Sequence, residues 1–142
     1  MDKLQKAQQR ARELWAGDKA SQALGMSIEI PAAGAAVARM TVRDDMLNGF
    51  DVCHGGLLFA LADTAFAFAC NPTEQANFAA SATIEFLRPA AAGDQLRAVA
   101  AEEHKGRRSG YYTVRVDNQD GKLIALFRGR SVSPALSEET QK

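Results

Sequence analysis

The chain has 142 residues, enough for one domain with a sizeable core and too few for two ordinary ones. Its 17 basic and 17 acidic residues cancel, which argues against broad attraction to nucleic acid or to an anionic membrane. No run reaches about 18 apolar residues without a charge, and the N-terminus MDKLQKAQQRARELW lacks the apolar stretch of a secretion signal, so a cytoplasmic protein is expected.

Residues 1–24 place Leu4, Ala7, Ala11, Leu14 and Trp15 at helical spacing, which predicts one amphipathic helix packed onto the domain. Met26 to Val42 reads as a hairpin of two short extended runs around Ala-Ala-Gly. MLNGFDVCHGG is loop-like, with Asn48-Gly49 as a turn signal. Gly55 to Cys70 predicts a long apolar helix, stopped by Asn71-Pro72 because a residue before proline is pushed out of helical geometry. Cys53 and Cys70 flank it and would lie more than about 20 Å apart along one helix, too far for a disulfide. With two histidines and two cysteines in no ligand-like spacing, no metal site is expected.

AASATIEFLRP, DQLRAVAAEEH, GYYTVRVDN and KLIALFRGRSVS follow, four strand-like runs joined by AAAGD, KGRRS and QDG. The last joint contains Asp120-Gly121, a hairpin signal, and the short joints predict a serial antiparallel meander. Residues 133–142 read as a frayed polar tail. One curved sheet covers only part of a helix that is apolar all round, and a partner subunit is the economical cover for the rest.

Asp63 breaks the apolar pattern. It stands at about the ninth helical position, too late for an N-cap, among LFALADTAFAFA, where an unpaired buried charge is costly. It reads either as a carboxylate paired on a polar seam or as a functional group. His54, Gly55 and Gly56 read either as a permissive entry loop or as a helix N-terminus whose free N–H groups polarise a carbonyl. Asn48 and Ser81 draw no notice alone. Gly55 and Asp63, eight residues apart, are separated by about 12 Å along one helix and cannot touch the same carbonyl. A two-fold dimer with antiparallel helices brings Gly55 of one subunit near Asp63 of the other.

MLNGFDVCHGGLLFALADTAFAFAC, followed by SATIEFLRPAAAGD and ALFRGRS, resembles the hotdog-fold acyl-CoA thioesterases of the phenylacetic-acid-degradation type, from about Leu24 to Ser131. The resemblance implies an α+β fold, a long central helix wrapped by a curved antiparallel sheet, in a homodimer with composite sites that is built into a homotetramer. It implies Asp63 as the catalytic carboxylate, Gly55 as the oxyanion N–H donor, Asn48 and His54 as orienting residues, and Ser81 as positioning the carboxylate or the attacking water. The substrate would be an acyl-CoA, (hydroxy)phenylacetyl-CoA or a related aryl-acyl-CoA, with no cofactor.

A thioester suits so sparse a site, because a thiol near pKa 8.5 departs without a strong general acid. For the CoA moiety the expected contacts are Gly56, Arg88, Pro89, Arg128 and the basic turn Lys105, Gly106, Arg107, Arg108 and Ser109, which reads equally as a solvated turn. Phe50, Phe59, Phe66 and Phe68 either line the acyl pocket or belong to the core. Two rival functions are a hotdog hydratase or dehydratase pairing His54 with Asp63 across the dimer, and a non-enzymatic acyl-CoA binding or sensing module.

Overall fold

Asp2 starts the first helix. Its carboxylate accepts the Gln5 N–H at 2.8 Å while Gln5 Oε1 accepts the Asp2 N–H at 3.1 Å, a reciprocal capping box. In this computed structural model, which describes residues 1–134, helix α1 spans Lys3–Gly17 and a short α2 spans Lys19–Ala23. The single helix expected over 1–24 is therefore two. The break falls at Asp18, which leaves helical geometry and caps α2 by accepting the Ser21 N–H at 3.0 Å.

Strands β1 (Ser27–Glu29) and β2 (Ala35–Thr41) form the expected hairpin, and helix α3 (Gly55–Ala69) ends ahead of Asn71-Pro72 as the sequence predicts. Strands β3 (Phe78–Phe86), β4 (Gln95–Lys105), β5 (Ser109–Asp117) and β6 (Leu123–Val132) complete one antiparallel sheet in the order β1-β2-β4-β5-β6-β3. The meander holds for β4, β5 and β6 only, because β3 pairs with β6 at the far edge. AAAGD belongs to a crossover rather than a hairpin turn. Leu87 donates to Ile124 O, Ala90 O accepts from Cys53, and Gly93 donates to Val42 O, each at 2.8 Å. The linker thus satisfies its backbone while passing from β6, by the start of α3, to the end of β2.

Asn48 and Asn118 build the same five-residue turn. Asn48 Oδ1 accepts from Phe50 and Val52 N–H, and Asn118 Oδ1 accepts from Asp120 and Lys122 N–H. The residue with positive φ is Asp51 in the first and Gly121 in the second. Neither Asn48-Gly49 nor Asp120-Gly121 is a two-residue turn. In both loops the asparagine stands one residue before the two central positions.

Leu58, Leu61, Ala62, Ala65, Phe66 and Ala69 of α3 are buried in the core. The Phe66 ring lies 2.9 Å from where a Cβ on Gly129 would be, so β6 needs glycine there, and the ring packs against Tyr112 and Phe127 with centroids 5.5 and 5.8 Å apart. Burying such a side chain contributes about 1.5–3 kcal/mol. The N-terminal helices cover part of the opposite side, through Trp15 against Phe68 and Ser21 Oγ at 3.2 Å from Thr64 Oγ1. The chain's own arm therefore does some of the covering assigned above to a partner. At about 100° per residue, Gly56, Ala60, Asp63 and Ala67 form the remaining stripe, and all four are partly or fully exposed.

The tail expectation is corrected at Ser133, whose N–H donates to Arg108 O and whose hydroxyl bonds Asn77 Oδ1. Residues 135–142 lie outside the described residues. Among the described residues no helix is long and apolar enough to cross a membrane, and no group of three or more His, Cys, Asp or Glu side chains is placed to hold a metal ion.

Candidate active site

Helix α3 begins with its donors almost fully committed. His54 is the N-cap, and its Nδ1 accepts the Gly56 N–H at 3.1 Å. Leu57 and Leu58 N–H donate to His54 O, while His54 N–H donates to Met46 O and Cys53 N–H to Ala90 O. Gly55 is the exception, since its N–H has no partner among the described residues. A free N–H at the positive end of a helix dipole is suited to bind a carbonyl oxygen that gains negative charge. The Asn48 turn holds this entry in place, because its hairpin ends at Val52 and a Leu47–Cys53 bridge leads into His54. His54 and Asn48 are thus connected to Gly55 through backbone. With its Nδ1 committed to the helix cap, His54 holds the start of α3 in the orienting role that the resemblance implies.

The Phe86 ring lies over Gly55, with Cζ 3.3 Å from where a Cβ would stand, and Phe86 remains 53% exposed. Sequence reasoning missed this aromatic wall. Its only signal was an aromatic at the end of a strand, which core packing explains equally well.

Asp63 lies two turns further along the open stripe. It is half-buried and makes no hydrogen bond or ion pair among the described residues. Burial pushes its pKa above the ordinary carboxylate range, which makes it a better proton acceptor than an exposed aspartate. Its neighbour Thr64 donates to Ala60 O at 2.7 Å and meets Ser21, which in turn bonds the Asp18 carboxylate at 2.8 Å. A polar connection from the N-terminal arm therefore reaches the residue beside Asp63, and the sequence did not reveal it.

The remaining expected site residues scatter. Ser81 is exposed, follows a β-bulge and shares its register with Arg130, whereas Ala82 and Ile84 pack against the core. Strand alternation puts Ser81 on the face away from α3, so the single chain does not bring it to Asp63. Gly56 is spent on the His54 cap. Lys105, Gly106, Arg107, Arg108 and Ser109 form the β4–β5 turn, closed by Gly106 N–H to Ser109 O at 2.8 Å and adjacent to the end of β6. Arg88 and Pro89 lie at the other end of β6, where Arg88 N–H meets Ile124 O, and Arg128 falls mid-strand opposite Thr83 and Thr113. Eight strand residues, about 26 Å, separate the row of Ser109 from that of Arg88. One chain therefore does not gather these cations. Of the four phenylalanines, Phe66 and Phe68 are core, Phe59 packs on Phe127 at 5.4 Å, and Phe50 is 89% exposed.

An antiparallel sheet wrapped around a long helix, with a free N–H at the helix start and an unpaired carboxylate two turns on, defines a hotdog-fold thioesterase. The chain belongs to the thioesterase superfamily, which it matches over residues 50–125. It is 49% identical to the acyl-coenzyme A thioesterase PaaI of Escherichia coli strain K12 over 126 residues, 89% of this chain and 90% of that one. Among solved structures it is similar to the E. coli PaaI protein from the phenylacetic acid degradation operon (TM-score 0.91, 47% identity, 93% of this chain and 96% of that chain). It is also similar to a mutant of the phenylacetic acid degradation protein PaaI from Thermus thermophilus (TM-score 0.78, 40% identity, 82% and 99% of the two chains). The family and fold expected from the sequence are those found.

Proposed function

We propose that the protein hydrolyses (hydroxy)phenylacetyl-CoA or a related aryl-acyl-CoA to the free acid and CoA, as a cytoplasmic thioesterase of phenylacetate catabolism. The carrying observation is the presence on α3 of one backbone donor, Gly55 N–H, and one carboxylate, Asp63, that have no partner among the described residues. The likeness to a named acyl-CoA thioesterase supports the substrate class. Gly55 N–H polarises the thioester carbonyl. Asp63 either takes a proton from the attacking water or attacks the carbonyl carbon itself, and CoA leaves as thiolate; the second route leaves an acyl-aspartyl anhydride that water then hydrolyses, so both end in free acid and CoA.

The two groups lie about 12 Å apart along one helix, so each site uses Gly55 from one subunit and Asp63 from the other. A two-fold axis that achieves this passes near Phe59, midway between them. The exposed edge strand β3, which carries Phe78 at 59% and Phe86 at 53% exposure, supports the same partner, since a long apolar edge invites pairing. Such a dimer covers the open stripe of α3. Tyr111 and Leu126, exposed on β5 and β6, are apolar contacts available for joining two dimers into a tetramer. Lys105, Arg107 and Arg108 are exposed and serve as contacts for the CoA phosphates.

The test is thiol release from phenylacetyl, hydroxyphenylacetyl, benzoyl, short-chain and long-chain CoA thioesters by wild type and Asp63→Asn. Preference for the aryl-acetyl class with a loss of about 100-fold or more in the variant is expected. Equal activity of the two proteins would make Asp63 a structural residue.

A further inference from the structure

Two consecutive glycines open α3, and backbone conformation requires neither, since the glycines with positive φ are Gly25, Gly34, Gly93 and Gly121. Glycine is a poorer helix former than alanine, so space rather than φ accounts for it at the helix start. At Gly55 a Cβ would stand 3.3 and 3.4 Å from Cζ and Cε1 of Phe86. The ring therefore lies directly on the residue that carries the free N–H.

Phe86 is held there by the strand before it and the linker after it. It stands opposite Ala125 on β6, Leu87 N–H donates to Ile124 O at 2.8 Å, and Ala90 O accepts the Cys53 N–H at 2.8 Å. The crossover is thus docked on the loop that enters α3. Strand alternation gives Phe86 the same face as Ala82 and Ile84, which pack against the core. Phe86 nevertheless stays more than half exposed and pairs with no other aromatic ring among the described residues. Core packing does not account for a ring in that position.

We propose that Phe86 is a positioning residue of the oxyanion site, whose ring keeps water from one side of the Gly55 N–H and so strengthens that donor's bond to the oxyanion. This rests on the thioesterase reading above. A hydrogen bond in an apolar setting is stronger than the same bond in water, and the gain is larger for a charged acceptor than for a neutral carbonyl. The ring therefore acts on kcat more than on KM. Glycine at 55 is its counterpart, because a side chain there would hold the ring off the helix start.

The experiment measures kcat and KM for phenylacetyl-CoA, with Tm, for Phe86→Ala in three backgrounds: wild type, Gly55→Ala and Gly55→Pro. Sedimentation at the assay concentration checks the dimer. Alanine and proline at 55 both carry the Cβ that meets the ring, and only alanine keeps the N–H. Removing the ring should lower kcat about tenfold in wild type and in Gly55→Ala, a fraction of the roughly 100- to 1,000-fold that the donor itself supplies. KM should change by less than about threefold. In Gly55→Pro, where no N–H is left to shelter, the same change should cost less than about twofold in kcat. If Phe86→Ala does not fold or does not dimerise, Phe86→Leu should show a smaller loss with the same dependence on background. Equal losses in all three backgrounds, a loss carried by KM, or one matched by a fall in Tm would overturn the role of Phe86. A Gly55→Pro protein as active as Gly55→Ala would overturn the oxyanion reading as well, an outcome the Phe86 variants alone do not produce.

Discussion

Replacing Gly55 by proline deletes one hydrogen-bond donor at little structural cost. Gly55 is the first residue of α3, where proline's fixed φ fits a helix and its missing N–H breaks no intrahelical bond. The preceding residue is already extended, with His54 at φ −59° and ψ 133°, as proline requires. The remaining cost is steric, a Cβ 3.3 Å from Phe86 Cζ, and Gly55→Ala isolates it because alanine adds the Cβ and keeps the N–H. Loss of an oxyanion donor costs about 100- to 1,000-fold in kcat, or about 2.7–4 kcal/mol. Gly55→Pro should therefore fall at least about 100-fold below Gly55→Ala in steady-state thiol release, with similar Tm. Mixing with Asp63→Asn during refolding tests the shared site. Random pairing of equal amounts makes half the dimers hybrid, each with one intact and one doubly impaired site, so about a quarter of wild-type activity should return. A Gly55→Pro rate within about tenfold of Gly55→Ala would refute the role of this N–H. Hybrids no more active than their parents would refute the composite site.

Asp63→Asn should stabilise the protein at neutral pH while abolishing turnover. The folded-state pKa of Asp63 is raised by burial above the ordinary value of 3.8, so the stability linked to this group is fully present below that value and is lost as pH rises through the folded pKa. Asparagine loses nothing over that window, so Tm of the variant should exceed wild type at pH 7 and converge with it near pH 4. A gap independent of pH would contradict the assigned burial. Cys53 and Cys70 are free, buried and raised in pKa, Cys70 to about 12, mainly by desolvation. Ellman's reagent at pH 8 should therefore label neither thiol in the native protein and both after denaturation, and rapid native labelling would contradict their placement.

Local patterns carried much of the fold. The apolar run of α3, its proline stop and the β4–β5–β6 meander depend on residues adjacent in sequence. The split at Asp18 was also legible, since aspartate is a favoured N-cap residue. The position of β3 was not. AAAGD has the composition of a hairpin turn, and what makes it a crossover is hydrogen bonding to Cys53 and Val42, about forty to fifty residues earlier in the chain.

The site divided in the same way. Asp63 stood out because a carboxylate in an apolar helix is costly, whereas Asn48 and His54 show their roles only through the backbone groups they hold. The cations at 88, 105, 107, 108 and 128 looked like one cluster because a linear reading ignores which end of a strand each occupies. Most informative is the open stripe itself. Had the exposed side of α3 served only to bury a partner, side chains as large as Leu58, Leu61 and Phe66 of the inner face would be expected along it. Instead Gly56, Ala60 and Ala67 flank Asp63. Small residues around a lone carboxylate leave room above it, and a helix pressed against a second subunit needs that room only if something else must enter between them.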